Sequence, residues 1–278
     1  MTSISTATPG WLALRAPADD GARSADLAHE LARLVGRGAT GAPLLLHDLG
    51  AGTGSMTRWL APRLPGPQRW VLRDGDADIL EHLDLRTVAD ADGAAIESEV
   101  VVEDLEHLPR DAFHGAAAVT ASALLDVLTE AEAAHIAAAC IAARAPVLFS
   151  LTVTGDVRVR PSAGHQGLED VLAAAFDDHQ RRDAEGRRML GPDAVAAVAA
   201  LFADAGWQVR RAATPWRLRR SDAPLAVEWL EGWVRAAVEQ RPDLTEPAGE
   251  YLRERLAHGA AGRLRVTVSH EDLLAWPG

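Results

Sequence analysis

The sequence predicts an α/β fold, a mostly parallel sheet with helices on both faces. Three observations predict it. Short apolar segments alternate with helical segments from Leu44 onward, joined by short connections. A glycine cluster, GAGTG at 50–54, directly follows the first apolar segment and opens a helix. The chain has 278 residues, 48% of them hydrophobic, which is enough to fill the core of one extended domain.

Taken in order, residues 24–35 (SADLAHELARLV) repeat apolar positions at helical spacing and predict an amphipathic helix. It belongs to an N-terminal helical segment over 1–40. Residues 44–49 (LLLHDL) predict a short buried strand. The helix that starts at Ser55 is closed by Pro62 and the Pro65-Gly66-Pro67 cluster. Residues 68–72 (QRWVL) predict a second strand running into Arg73-Asp74-Gly75-Asp76, with Asp76 as the N-cap of a helix through Leu83. Residues 99–103 and 116–120 predict the third and fourth strands. Thr129 and Glu132 form a T-x-x-E capping box before an alanine-rich helix that Pro146 ends. Residues 147–153 (VLFSLTV) predict a fifth strand.

The polar stretch 155–188 is rich in Arg, Asp, Gln and Gly, and predicts a cap over 155–190. Pro192 opens a helix that Gly206 stops. Residues 207–213 predict a sixth strand, 223–240 and 247–258 two helices, and 263–269 (RLRVTVS) a seventh strand. The reading is one domain over 1–278. Residues 41–154 form its ligand-binding half and 191–278 the remainder of the sheet.

Charge and composition narrow the function. With 28 basic and 40 acidic residues the net charge is −12, which disfavours nucleic acid as a partner. Every basic residue is Arg, so lysine chemistry (P-loop, Schiff base, general base) is excluded. The single cysteine, Cys140, allows no internal disulfide. No cationic, apolar leader and no apolar run of about 18 residues is found, so no membrane partner and a cytoplasmic location are expected.

The glycine cluster and the acid after it carry the chemistry. Gly50 and Gly52 remove side chains that would keep a ligand from the backbone, and Gly54 lets the helix start close to the strand. The helix N-terminus aims N–H groups into the same space. Twenty positions after Gly54, Asp74 ends the second strand, where a carboxylate can accept hydrogen bonds from both ribose hydroxyls. Together they predict a nucleoside site.

The third glycine comes one residue earlier than in the dinucleotide fingerprint G-x-G-x-x-G. DLGAGTG instead resembles the D-x-G-x-G-x-G loop of class I, Rossmann-like S-adenosylmethionine-dependent methyltransferases. The resemblance implies S-adenosyl-L-methionine as cofactor, its methionine part held by Asp48, Gly50, Ala51, Gly52 and Gly54. VLRDGDADIL is similar to the second motif, with Asp74 and Gly75 at the ribose. VVEDLEHLP resembles the third, with Asp104 and Leu105 beside the adenine. VTASALLDVL resembles the fourth, with Ser122 at the carboxyl end of the fourth strand. The family also implies seven strands with the last antiparallel, and an N-terminal segment folded over the cofactor, with Arg23 meeting its carboxylate. His47 departs from the pattern, because an apolar residue is usual there; it reads as a buried histidine hydrogen-bonded locally.

The reaction so implied is methyl transfer to a small-molecule acceptor, which needs alignment above all and a base only if the acceptor must lose a proton. In FDDHQRRDAEGRRMLGP, His179 is the first candidate base and His165 the second, against the plain alternative of solvated histidines. Arg181 and Arg182 are candidates to receive an anionic acceptor. Trp229 and Trp233 share one helical face and predict core or a subunit contact, which leaves a homo-oligomer open. The histidines show no H-x-x-x-H or H-x-x-E spacing, so no metal is expected. The competing readings are a non-catalytic nucleoside-binding or scaffold protein of the same fold, and an NAD(P)-dependent oxidoreductase, which the glycine spacing disfavours.

Overall fold

A computed structural model of the chain describes residues 7–36, 41–162, 164–184 and 186–278. At its centre β1 (Leu44–Leu49) lies parallel to β2 (Gln68–Asp74) on one side and to β4 (Ala118–Ser122) on the other. β3 (Glu97–Val102) extends the sheet beyond β2, and β5 (Val147–Arg160) extends it beyond β4, both in parallel. A two-stranded hairpin of β6 (Asp183–Ala184) and β7 (Arg187–Arg188) stands apart. β8 (Gln208–Ala213), β9 (Trp216–Leu218) and β10 (Arg265–Trp276) complete the main sheet.

The strand order is β3-β2-β1-β4-β5-β10-β8, with β9 paired to the start of β10. β10 is antiparallel to both β5 and β8, so the expected antiparallel last strand is present. The sheet has eight strands rather than seven because β9 is added.

Leu44 and Leu46 of β1 face one core with α2 (Ala25–Gly36) and α3 (Ser55–Leu60). Leu49 faces the other, packed by α5 (Glu130–Ala143) and α7 (Ala194–Asp204). This is the alternation a strand covered on both faces imposes. The Thr129–Glu132 capping box is formed in both directions. Asp76 caps α4 (Ala77–Leu80) by accepting from the N–H groups of Asp78 and Ile79, though the helix stops before Leu83.

Two stretches differ from the sequence reading. The segment after Val153 is regular rather than irregular. β5 continues to Arg160 because Val157 and Val159 turn inward while Asp156, Arg158 and Arg160 stay exposed, a strand alternation. α6 (Gln166–Gln180) follows and packs on α8 (Ala223–Gln240), beside α9 (Thr245–Ala260). With β9 and the adjoining ends of β5 and β10 these helices enclose a third core containing Trp216, Trp233 and Tyr251.

The second difference is α1 (Pro9–Ala22), a full helix ahead of the one expected. Thr8 caps it by accepting from Trp11 N–H, Pro9 occupies its first turn, and Pro17 lies inside it.

Asp272 holds the N-terminal helices to the sheet. Fully buried, it accepts from Ser24 N–H at 2.8 Å, Leu151 N–H at 2.8 Å and Thr214 Oγ1 at 2.9 Å. Leu151 sits at φ 58° where the β10 ladder shifts register between Glu271 and Leu273. Among the described residues no helix is long and apolar enough to cross a membrane.

Candidate functional site

The glycine loop leaves β1 at the carboxyl end of the sheet and is pinned to the end of β2. Ala51 N–H donates to Arg73 O at 3.0 Å, and Gly52 N–H to Asp74 Oδ2 at 2.8 Å. The other Asp74 oxygen accepts from Asp76 N–H at 3.0 Å. Gly52 has φ +52°, in the left-handed region, and a Cβ there would lie 3.2 Å from Leu12 Cδ1 of α1.

Around this loop is a cavity of about 170 Å³. Gly50, Ala51, Gly52 and Ser55 form its floor, with Asp74 and Ser122 at the strand ends; α1 and its C-cap supply Leu12, Arg15, Asp19 and Arg23. Arg23 is 5% exposed. Its guanidinium donates to Asp20 at 2.7 Å, Ser122 Oγ at 3.0 Å and Ser55 Oγ at 3.1 Å, while its buried Nε has no partner among the described residues. Asp19 accepts from Arg15 Nε at 2.9 Å and from Trp216 Nε1 at 3.0 Å, fixing α1 against β9.

Asp48 does not line this cavity. It is fully buried and accepts from Thr57 Oγ1 at 2.9 Å and Thr120 Oγ1 at 2.8 Å, bracing β1 to α3 and β4. Burial pushes its carboxyl up to about 6. Gly54 starts α3 at φ 81° and is likewise outside the lining. His47 is buried against Phe113, ring centroids 5.2 Å apart, and neither ring nitrogen has a partner among the described residues. The expected local hydrogen bond is therefore not formed, and burial, with Arg73 nearby, pushes the imidazole down to about 4.

Gly75 and Asp104 meet at the ends of β2 and β3: a Cβ on Gly75 would be 3.9 Å from Asp104 Cα. Asp104 is exposed and caps a short turn by accepting from Glu106 N–H at 3.2 Å, while Leu105 packs against the α5 core. The ligand atoms of Asp104, Glu106 and His107 lie within 4.8 Å of one another, all exposed, an arrangement acidic surface groups adopt without an ion.

A second cavity, of about 510 Å³, adjoins the first, and Ala7 borders both. α1 divides them, presenting Trp11 to the larger and Leu12 and Arg15 to the smaller. Asp126 and Val127, just past β4, line the larger one, with Phe176, His179 and Arg182 from the α6 region and Trp229, Trp233 and Arg235 from α8.

His179 thus borders a cavity, but its ring is fully engaged. Its Nδ1 is 3.0 Å from Arg182 Nη1, which can only donate, so the proton sits on Nε2, 3.1 Å from Glu239. Burial and Arg182 lower its pKa. His165 borders neither cavity; it precedes α6 and is paired to Glu254 of α9 at 2.7 Å. Arg181 is taken by Asp193 at 2.6 Å, leaving Arg182 as the member of that pair at the cavity.

Trp11, Arg15 and Asp19 were not among the candidates in sequence, whereas Asp126 ends the segment 122–126 that can reach the acceptor over the strand ends. Thr8-Pro9 was the available signal for the first three, a cap followed by proline at the first helical position.

No family model matches the chain, and no curated protein matches it. Solved structures overlap it loosely. The cyclopropane synthase MmaA2 from Mycobacterium tuberculosis is 15% identical with a TM-score of 0.45, over 88% of this chain and 82% of that one. A SAM-dependent methyltransferase from Geobacter sulfurreducens, in complex with S-adenosyl-L-homocysteine, is 14% identical with a TM-score of 0.45, over 98% and 99%. Magnesium protoporphyrin IX methyltransferase from Synechocystis PCC 6803, with bound SAM, is 16% identical with a TM-score of 0.40, over 68% and 71%.

Proposed function

We propose that the chain is an S-adenosyl-L-methionine-dependent methyltransferase acting on a small-molecule acceptor. The observation that carries the reading is the convergence of the 50–52 backbone, the Asp74 carboxylate and the buried Arg23 guanidinium about one cavity. An amino-acid carboxylate suits Arg23, whose unpartnered Nε is a buried donor still to be satisfied, with the Ser55 and Ser122 hydroxyls beside it. A ribose diol suits Asp74 at the strand end. Any side chain at Gly52 would crowd the space between the loop and Leu12. The residues present therefore fit this cofactor. When bound, it supplies an electrophilic methyl group.

The remaining work falls to the chain. Asp48, through Thr57 and Thr120, keeps the loop's root rigid. α1 covers the loop and, through Asp19 and Trp216, is anchored where it excludes water. The larger cavity beside it takes the acceptor. His179, its Nδ1 lone pair occupied, fixes Arg182 in the wall rather than taking a proton, so alignment by the cavity walls is the principal device.

Calorimetry with S-adenosylmethionine, S-adenosylhomocysteine and NAD tests the reading. The first two should bind, and Asp74→Ala should weaken them by up to about 1.5–3 kcal/mol for each charge-assisted hydrogen bond lost. Preferential NAD binding would favour the oxidoreductase instead. Cofactor binding without turnover across a broad acceptor panel would favour the non-catalytic scaffold.

A further inference from the structure

The larger cavity has a chemistry of its own. Its volume, about 510 Å³, is in the range that encloses one small organic ligand. Trp229 and Trp233 stack in its wall with centroids 5.7 Å apart and planes 17° from parallel; Trp11 and Phe176 also line it. Aromatic walls of this kind favour a flat, π-bearing ligand.

Asp126 sets the first polar requirement. Its carboxyl makes no hydrogen bond or ion pair to another described residue, and one of its oxygens is wholly shielded. A shielded carboxyl oxygen without a donor is costly; burial raises the pKa of this half-buried group, opposed by its own backbone N–H and by Arg15. No other described residue donates to its shielded oxygen, which leaves that oxygen open to an O–H or N–H of a ligand. Asp126 also marks the end of the cavity nearest the glycine loop: Ser122 and Ala123 on the same segment line the smaller cavity, and Leu124 would be 3.0 Å from a Cβ on Gly50.

The second requirement is set by Arg182 and Arg235, which line the cavity from the α6 region and α8. Arg235 makes no ion pair among the described residues; it and Glu228, the other acid in the lining, are both at the solvent-exposed rim.

We infer that this cavity binds an aromatic carboxylate whose ring carries a hydroxyl or amino group. The flat ring lies on the Trp229–Trp233 stack, the hydroxyl or amino group donates to Asp126, and the carboxylate meets Arg182 and Arg235. That this ligand is the methyl acceptor rests on the function proposed above; that it binds here does not.

The test is calorimetry on the full chain with para-coumarate and para-aminocinnamate, against three controls. Cinnamate lacks the donor, tyramine carries an amine in place of the acid, and hydroxycyclohexane carboxylate lacks the flat ring. Both aromatic acids should bind saturably, and each control about tenfold more weakly, the loss expected for one polar or stacking contact. Trp229→Ala and Arg235→Gln should each weaken para-coumarate about tenfold while leaving S-adenosylhomocysteine affinity unchanged, which also reports that the variants fold. Asp126→Asn should narrow the preference for para-coumarate over cinnamate. The inference is overturned if neither aromatic acid binds saturably, if tyramine binds more tightly than para-coumarate, or if both wall variants bind like the parent. Binding of para-coumarate without any binding of S-adenosylhomocysteine would sink the methyltransferase reading alone.

Discussion

Gly52 shows how much a single residue can carry at the loop. It combines a left-handed backbone with a 3.2 Å approach to Leu12, so Gly52→Val meets strain and a filled site at once. Left-handed backbone costs an L-residue about 1–2 kcal/mol, more when it is β-branched. S-adenosylhomocysteine binding should disappear in calorimetry while the far-UV spectrum stays that of the parent; parental affinity would exclude the loop as the site. His47 makes a different prediction. Its folded pKa of about 4 lies below the ordinary 6.5, so between these values the unfolded chain holds more protons and stability falls as pH falls. His47→Leu should remove that loss. The variant's advantage in unfolding free energy, read by urea denaturation, should be small at pH 7 and grow to at most about 3 kcal/mol near pH 4. The glycines and Asp74 were legible in sequence because close approach and strand-end position follow local spacing. The distant partners of Asp48, His179 and His165 were not, since Thr120, Glu239 and Glu254 are brought to them by packing.

Among elements, α1 was the least legible and matters most to the site. Pro17 removes an interior N–H and normally argues against a helix; the anchoring contacts that offset it, from Asp19 to Trp216, span 197 residues. Asp19→Ala should leave Trp216 Nε1–H and Arg15 without their acceptor and destabilise the chain by about 1–3 kcal/mol. It should also weaken S-adenosylhomocysteine several-fold in calorimetry, because Leu12 and Arg23 depend on the placement of α1. A lower denaturation midpoint with parental affinity would separate α1 from the site. β5 ran longer than the sequence indicated because charged residues on its exposed side masked a period-two pattern, and β10 because the buried His270 and Asp272 interrupt its apolar run. α8 matched its expected limits, its cavity-facing tryptophans notwithstanding.

At the scale of the molecule, the alternation of elements and the glycine turn sufficed for a parallel sheet and its order-reversing centre at β1. The third core did not follow from them. It is assembled from α6, α8, α9 and β9, elements far apart in sequence that only packing brings together. Asp272 joins this C-terminal half to the N-terminal helices. Asp272→Ala would strand three donors, each costing about 1–3 kcal/mol when left buried and unpaired. Urea denaturation should show a midpoint lower than for any other variant described, and a near-parental midpoint would deny Asp272 its joining role.

A partition belongs to both of the rooms it divides. α1 gives Leu12 and Arg15 to one cavity and Trp11 to the other. If occupancy of either moves the helix, their dissociation constants are thermodynamically linked. Whatever factor S-adenosylhomocysteine imposes on para-coumarate affinity, para-coumarate must impose on S-adenosylhomocysteine. A factor of unity in both directions would describe a rigid divider. Another value that moves toward unity on loss of Asp19, the anchor of α1 to Trp216, would make α1 a heterotropic coupler.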